Sequence, residues 1–247
     1  MDIRGILFDI NGTLTDIKTD EGKEEIYRAI AHVLTYQGIP LHRGEVKDLY
    51  FSIMQRQREE RGEQYPEFDA VAIFREIVES NATDYTRALP KEKLEQLPLF
   101  LAELYRGVSR ERLRTYPGVA ETLEALKKQY TLGIVTDAQS AYAVPELQDV
   151  GVAENFSTIV VSGDYGYRKP DPRLFRKALE DLRLEPENAV FVGNDIFHDI
   201  FGAQQAGMKA VMFMTMYGDK EREGVNADYV IRNFIELPEA IRFLEEH

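Results

Sequence analysis

From Tyr116 to its end the chain repeats one unit: a short apolar run, a polar stop, then an amphipathic segment. PGVAETLEALKKQ leads in with helical spacing. YTLGIVTDA is followed by a helical pattern near AVPELQDVG, FSTIVVSG by PDPRLFRKALEDL, AVFVGND by FHDIFGAQQAG, and KAVMFMT by one more short strand in NADYVI and a closing helix in IELPEAIRFLEEH. Strands separated by helices return in the same direction, so they pair in parallel and bury both faces. IRGILFDI, near the start, is one more such run and is closed by Gly12-Thr13. The expected fold is α/β, a doubly wound, Rossmann-like parallel sheet. Ligands of such sheets sit outside the carboxyl ends of the strands.

The repeat is interrupted between about Asp20 and Arg112. GKEEIYRAIAHVLTYQG, EVKDLYFSIMQRQREERG, FDAVAIFREIVES and EKLEQLPLFLAELYRGV all carry apolar residues at helical spacing, with no convincing strand among them. This predicts an all-helical insert over residues 18–113, with a core of 1–17 and 114–247.

Composition narrows the function. The 30 basic and 43 acidic residues give a net charge of −13, which disfavours nucleic acid or an anionic membrane as a partner. There is no cysteine, so thiolate chemistry and Cys-ligated zinc are excluded. The four histidines are scattered and form no HxxxH pair. The apolar run at the N-terminus is too short for a signal peptide or a spanning helix, and the expected location is cytoplasmic.

The polar stops carry the chemistry. They are Asp9-Ile10-Asn11-Gly12-Thr13, Thr136-Asp137, Lys169-Pro170, and Gly193-Asn194-Asp195 with Asp199. Taken singly, each has an ordinary structural use. Asp before Asn-Gly forms turns, and Asp195 or Asp199 can cap a helix. Together, each after a predicted strand, they resemble the haloacid dehalogenase superfamily along essentially the whole chain. FDINGTLTD matches its DxDGT signature except at one position. VTDA, RKPDPRLF and VFVGNDIFHDIFGAQQAGM match its other motifs in order and spacing.

The resemblance implies a hydrolase acting on a small phosphorylated metabolite. Asp9 would be the nucleophile that forms an aspartyl phosphate. Mg²⁺ would be held by Asp9, the backbone carbonyl of Asn11, and either Asn194 or Asp195. Thr136 would donate a hydrogen bond to the phosphoryl group, with Gly12 and Asp137 lining its pocket. Lys169 would balance the carboxylates, and Asp199 would orient Lys169 or a metal-bound water. His198 reads as a solvated residue at a helix start. The resemblance also makes the helical insert a cap, hinged at Thr15 to Thr19 and Leu113 to Pro117. Tyr50, Arg56, Arg58 and Tyr105 are candidate substrate contacts from it, against the ordinary reading of such residues as core aromatics or salt-bridged exposed helix faces.

Two positions depart from the family pattern: Asn194, where the fourth motif often has Asp, and, in the first motif, Asn11. Phosphatases of this family carry there a second Asp that protonates the leaving group. An amide has no useful pKa for that task, and general acid-base help is typically worth about 10²–10⁴-fold. Three readings stay open: substrates with good leaving groups, a proton supplied by Asp137 or an insert residue, or an introduced Asp→Asn change. A 2-haloacid dehalogenase needs no acid there, but the dehalogenases carry an aromatic in place of Asn11 and Ser-Asn in place of Thr136-Asp137. A non-catalytic ligand-binding protein would also tolerate Asn11, though it would not need Asp9, Thr136 and Lys169.

Overall fold

The computed structural model describes residues 2–247. The elements run, in order, β1 (Gly5–Phe8), β2 (Thr15–Thr19), α1 (Glu24–Tyr36), α2 (Arg43–Arg61), α3 (Ala70–Ser80), α4 (Asp84–Arg87), α5 (Lys91–Ser109), β3 (Arg110–Thr115), α6 (Val119–Leu126), β4 (Thr131–Thr136) and α7 (Ser140–Asp149). They continue as β5 (Thr158–Val161), α8 (Pro172–Leu182), β6 (Ala189–Gly193), a π-helical turn (Ile196–Phe201), α9 (Gly202–Gln205), β7 (Lys209–Phe213), β8 (Tyr229–Ile231) and α10 (Leu237–Glu246).

Six strands form one parallel sheet in the order β5-β4-β1-β6-β7-β8. β1 lies between β4 and β6, where the winding reverses, so its carboxyl end opens into the crevice that such sheets use for ligands. Its four residues are all buried, because helices cover both faces. Ile6 and Phe8 pack on one side with Leu123, Val192 and Phe234, and Leu7 packs on the other with Val135, Phe175 and Phe191. The short NADYVI run forms the edge strand β8, as its β-branched and aromatic residues suggested.

Helices α1, α2, α3 and α5 build a second apolar centre from Ile30, Leu34, Phe74, Leu101 and neighbouring aromatics. Tyr50 and Tyr105 stack there with ring centroids 4.5 Å apart. One tyrosine of the sheet domain, Tyr142 on α7, belongs to the same cluster. Among the described residues no helix is long and apolar enough to cross a membrane.

The sequence reading missed one element. The chain enters and leaves the helical insert through an antiparallel ribbon, β2 with β3, in which Ile17 faces Leu113 and Thr19 faces Arg110. TDIKT and RERLRT each hold a single large apolar residue among charged ones, so neither shows the apolar alternation of a strand. Asp16, 6% exposed, accepts hydrogen bonds from Arg112 (2.6 Å) and Arg114 (3.0 Å) of the facing strand. Those bonds hold its carboxyl below the usual range.

Three further contacts seat the insert on the sheet domain. The loop between α2 and α3 lies along the segment before Lys169: Glu67 N–H donates to the Gly166 carbonyl (2.9 Å), and Arg168 N–H donates to that of Tyr65 (2.9 Å). Arg106 makes a two-pronged pair with Glu146 of α7, at 2.7 and 3.0 Å. Gln139, 6% exposed, reaches across to the start of α3, accepting from Ala70 N–H and donating to the Phe68 carbonyl, both at 2.8 Å.

Removing a side chain that satisfies buried backbone groups costs roughly 1–3 kcal/mol. Gln139→Ala is expected to lower the unfolding free energy by about that amount. Urea denaturation checks it, and an unchanged midpoint and slope would show that Gln139 contributes nothing to seating the insert.

Candidate active site

Asp9 follows β1 directly, and its N–H donates to the Val192 carbonyl (3.0 Å), so the strand's pairing carries it to the sheet edge. The chain then turns sharply. Leu14 and Thr15 N–H both donate to the Ile10 carbonyl, at 2.8 and 2.9 Å, and Gly12 N–H donates to that of Thr15 (2.8 Å). Gly12 has φ +88°, and a Cβ there would lie 2.7 Å from Asn194 Nδ2. Backbone conformation and space therefore both require glycine at this position.

The other stations converge on Asp9. Thr136, the last residue of β4, donates through Oγ1 to Asp9 Oδ1 at 3.1 Å. Lys169 Nζ donates to the same oxygen at 2.7 Å and to Asp199 Oδ1 at 2.6 Å. The ammonium is only 2% exposed. Asp137 accepts the Lys169 backbone N–H (2.9 Å) and so fixes the loop that delivers the lysine. Asp199 also accepts the N–H groups of Asn194 (2.9 Å) and Asp195 (3.0 Å) through its second oxygen. This reach back towards Asn194 accompanies a π-helical turn where the spacing suggested a plain helix. A Cβ on Gly193 would sit 2.3 Å from Asp199 Cβ, so that position must be small.

The electrostatics follow from burial. Loss of water pushes the Asp9 carboxyl up to about 6; Lys169 pulls it down, while Asp199 and Asp137 push it further up. Burial alone would lower the Lys169 ammonium, but Asp199, Asp9 and Asp137 together hold it above its ordinary range. Asp195 ends below the usual carboxylate range. Burial opposes this, and hydrogen bonds from His198 and from the Asp219 N–H outweigh it.

Asp9, Asn11, Asp137, Lys169, Asn194, Asp195, His198, Asp199, Tyr217 and Gly218 line one cleft of about 190 Å³. Thr136 and Gly12 flank it through Asp9 and Asn194. The residues of the four polar stops named from the sequence thus gather at one sheet edge. Asn194 and Asp195 differ in their commitments. Asp195 caps the following turn, accepting from Phe197 N–H (2.9 Å) and His198 N–H (2.8 Å). Asn194 Oδ1 accepts the Thr13 hydroxyl (2.9 Å), and that hydroxyl also lies 3.4 Å from Asp9 Oδ2. Asn194 is therefore the one coupled to Asp9.

A cation entering here would meet oxygen donors only: Asp9, Asn194 and the Asn11 segment. Among the described residues no group of three or more His, Cys, Asp or Glu is arranged to hold a metal, as expected where amide and backbone oxygens stand among the donors. Asn11 Oδ1 takes one long bond, from Thr15 Oγ1 at 3.4 Å.

The insert residues follow their ordinary structural reading rather than the substrate-contact one. None of the insert residues named as candidate contacts lines the cleft. Tyr50 and Tyr105 are buried in the helical centre, Arg56 pairs with Glu76, and Arg58 lies over the Phe68 ring. His198, with its side chain 38% exposed, stands at the start of the helical turn as expected, and it borders the cleft beside Asp195 (3.2 Å). Sequence reasoning also missed Thr13, Tyr217 and Lys220. Thr13 was visible inside the first motif. Tyr217 and Lys220 sit in an irregular loop with no periodic signal.

A family model described as haloacid dehalogenase-like hydrolase matches residues 6–213. The chain is 29% identical over 231 residues to a glyceraldehyde 3-phosphate phosphatase of Methanothermobacter thermautotrophicus, covering 90% of this chain and 91% of that one. It is 34% identical over 139 residues to a phosphoserine phosphatase of Thermus thermophilus, covering 56% of this chain and 53% of the other. Among solved structures, a 2-haloacid dehalogenase from Pseudomonas syringae superposes with a TM-score of 0.69 at 23% identity, covering 98% of this chain and 99% of that one. At these identities the structural likeness speaks for the fold alone.

A raised Asp9 carboxyl has a signature in stability. In metal-free protein the native state keeps a proton that the unfolded chain releases at 3.8. Asp9 therefore favours folding below that pH, and the contribution is lost as pH rises through about 6. Asp9→Asn should gain stability relative to wild type over that window, measured by urea denaturation with EDTA. A difference that does not vary with pH would contradict the raised value.

Proposed function

The chain belongs to the haloacid dehalogenase-like hydrolase family, and we propose that within it the protein is a magnesium-dependent phosphomonoesterase of small phosphorylated metabolites, with Asp9 as nucleophile. The observation that carries this reading is the convergence of Thr136 and Lys169 on a single oxygen of Asp9. That arrangement orients a carboxylate and supplies two donors beside it, which suits attack on a phosphoryl group.

The charges of the cleft support a divalent cation. Its lining holds the carboxylates of Asp9, Asp137, Asp195 and Asp199 and the single ammonium of Lys169. Such a lining repels a phosphate dianion. It repels a haloacid carboxylate as well, and what favours the phosphatase reading over the dehalogenase one is the set of phosphatases among the relatives. The donor set fits Mg²⁺, which prefers hard oxygen ligands. Asp9, Asn194 and the Asn11 carbonyl would hold it, with Asp195 next to them, and it would neutralise charge on the phosphoryl oxygens.

In the reaction, Asp9 attacks phosphorus, the bond to the substrate oxygen breaks, and an aspartyl phosphate forms. Thr136 Oγ1 and Lys169 Nζ donate to the phosphoryl oxygens as charge builds there. Water then attacks phosphorus and the Asp9–phosphorus bond breaks, freeing phosphate. Lys169 stays charged throughout, because Asp199 remains its partner. The Asn11 side chain cannot pass a proton to the leaving oxygen, so the reading favours substrates whose leaving group needs none. The helical insert would act as the cap. Its loop lies along the segment before Lys169, and Tyr65 meets Phe197 edge to face at 5.9 Å, beside the cleft.

Hydrolysis of p-nitrophenyl phosphate and of a simple alkyl phosphate, each with Mg²⁺ or EDTA, tests this. The aryl ester should turn over only with Mg²⁺, and Asp9→Asn should abolish turnover. Asn11→Asp should raise alkyl ester hydrolysis by about 10²–10⁴-fold. If neither ester is hydrolysed by wild type or by Asn11→Asp, the phosphatase reading is wrong.

A further inference from the structure

An amide in the place of a metal-binding carboxylate raises a problem of direction. A carboxylate presents oxygen whichever way it turns. An amide presents oxygen on one side and NH₂ on the other, and NH₂ cannot ligate a cation. Asn194 therefore serves the cleft only if something selects between its two orientations.

We infer that the loop after β7, through the Tyr217 carbonyl held by Lys220, turns the Asn194 amide so that its oxygen faces Asp9 and is presented to the cation. The inference rests on the magnesium-dependent reading above. Asn194 Nδ2 donates to the Tyr217 carbonyl at 2.9 Å, and Oδ1 accepts from Thr13 at 2.9 Å. The hydroxyl of Thr13 can donate or accept, so it does not discriminate. A carbonyl only accepts. Flipping the amide would bring two oxygens together at the Tyr217 end.

The carbonyl is itself held. Lys220 Nζ donates to the Asn194 carbonyl at 2.6 Å and to the Tyr217 carbonyl, tying the loop to the end of β6. Gly218, at φ +75°, lets the loop close over Asn194: a Cβ there would lie 2.8 Å from both Nδ2 and the Asn194 carbonyl. At the other end of Tyr217 its hydroxyl contacts Arg112 (3.0 Å) and Asp16 (3.3 Å).

Lys220 is thus a positioning residue, and two effects of removing it have opposite signs. Deleting a nearby positive charge should by itself tighten cation binding. Freeing the amide should weaken it, because outer-shell partners of a metal ligand are worth about 10–100-fold in affinity.

The experiment is Mn²⁺ binding, followed by electron paramagnetic resonance, in wild type, Lys220→Met, Lys220→Arg, Asn194→Asp and the Lys220→Met/Asn194→Asp double variant. Circular dichroism would establish that each is folded. Lys220→Met should bind Mn²⁺ about 10-fold or more weakly. Lys220→Arg, which keeps donors for both carbonyls, should retain wild-type affinity. In the Asn194→Asp background, where both terminal atoms are oxygens, Lys220→Met should cost nothing or tighten binding. Equal or tighter binding by Lys220→Met with Asn194 in place would overturn the inference while leaving the magnesium reading intact. Wild type that binds no Mn²⁺ would remove both.

Discussion

The buried ammonium of Lys169 is the interaction on which the rest depends. It lies within 2.7 Å of two carboxylates that come from opposite ends of the chain's core, Asp9 after β1 and Asp199 in the turn after β6. Removing one member of such a cluster leaves a charge stranded in a dry site, at a cost of several kcal/mol. The lysine therefore fastens together the strand ends, in addition to the part proposed for it in the reaction. Its own placement depends on Asp137, which holds its backbone N–H, and on the parallel sheet that sets β4, β1 and β6 side by side.

The sheet and its stations were legible because their signals are local and redundant. A strand buried on both faces reads as an unbroken apolar run, as in GILF or AVFVG, and the residue that ends the run is the one delivered to the crevice. The helices of the insert were legible from their period. The ribbon β2–β3 was not, because its stability comes from cross-strand ion pairs such as Asp16 with Arg112, and a partner 96 residues away leaves no mark in a short window. The same holds for Lys220 and Tyr217, which act through backbone carbonyls. Tyr50 and Tyr105 were misjudged for a different reason. An aromatic on an amphipathic helix looks the same from sequence whether its face meets a pocket or its own bundle.

Two of the cleft's positions carry amides, Asn11 and Asn194, where the family's pattern has carboxylates. Burial already pushes Asp9 up to about 6 with Asp199 and Asp137 adding to the effect. Carboxylates at both amide positions would add two more negative charges to the same crevice. The amides keep oxygen donors in place at lower charge, and they exchange that saving for a need to be oriented and for the loss of a proton carrier.

The ribbon has a consequence for how the molecule is put together. Because Thr19 is paired with Arg110, the chain leaves the sheet domain and re-enters it at neighbouring points, and α1 to α5 are joined to it covalently through that ribbon alone. Topologically the helical bundle is a long excursion in the turn of a hairpin. The sheet order does not depend on what the excursion contains, and neither do the contacts of Asp9, Thr136, Lys169 and Asp199 with one another. An arrangement of this kind is modular: the catalytic frame stays constant while the hanging part is free to differ in size, packing and surface, so selectivity can change without rebuilding the chemistry.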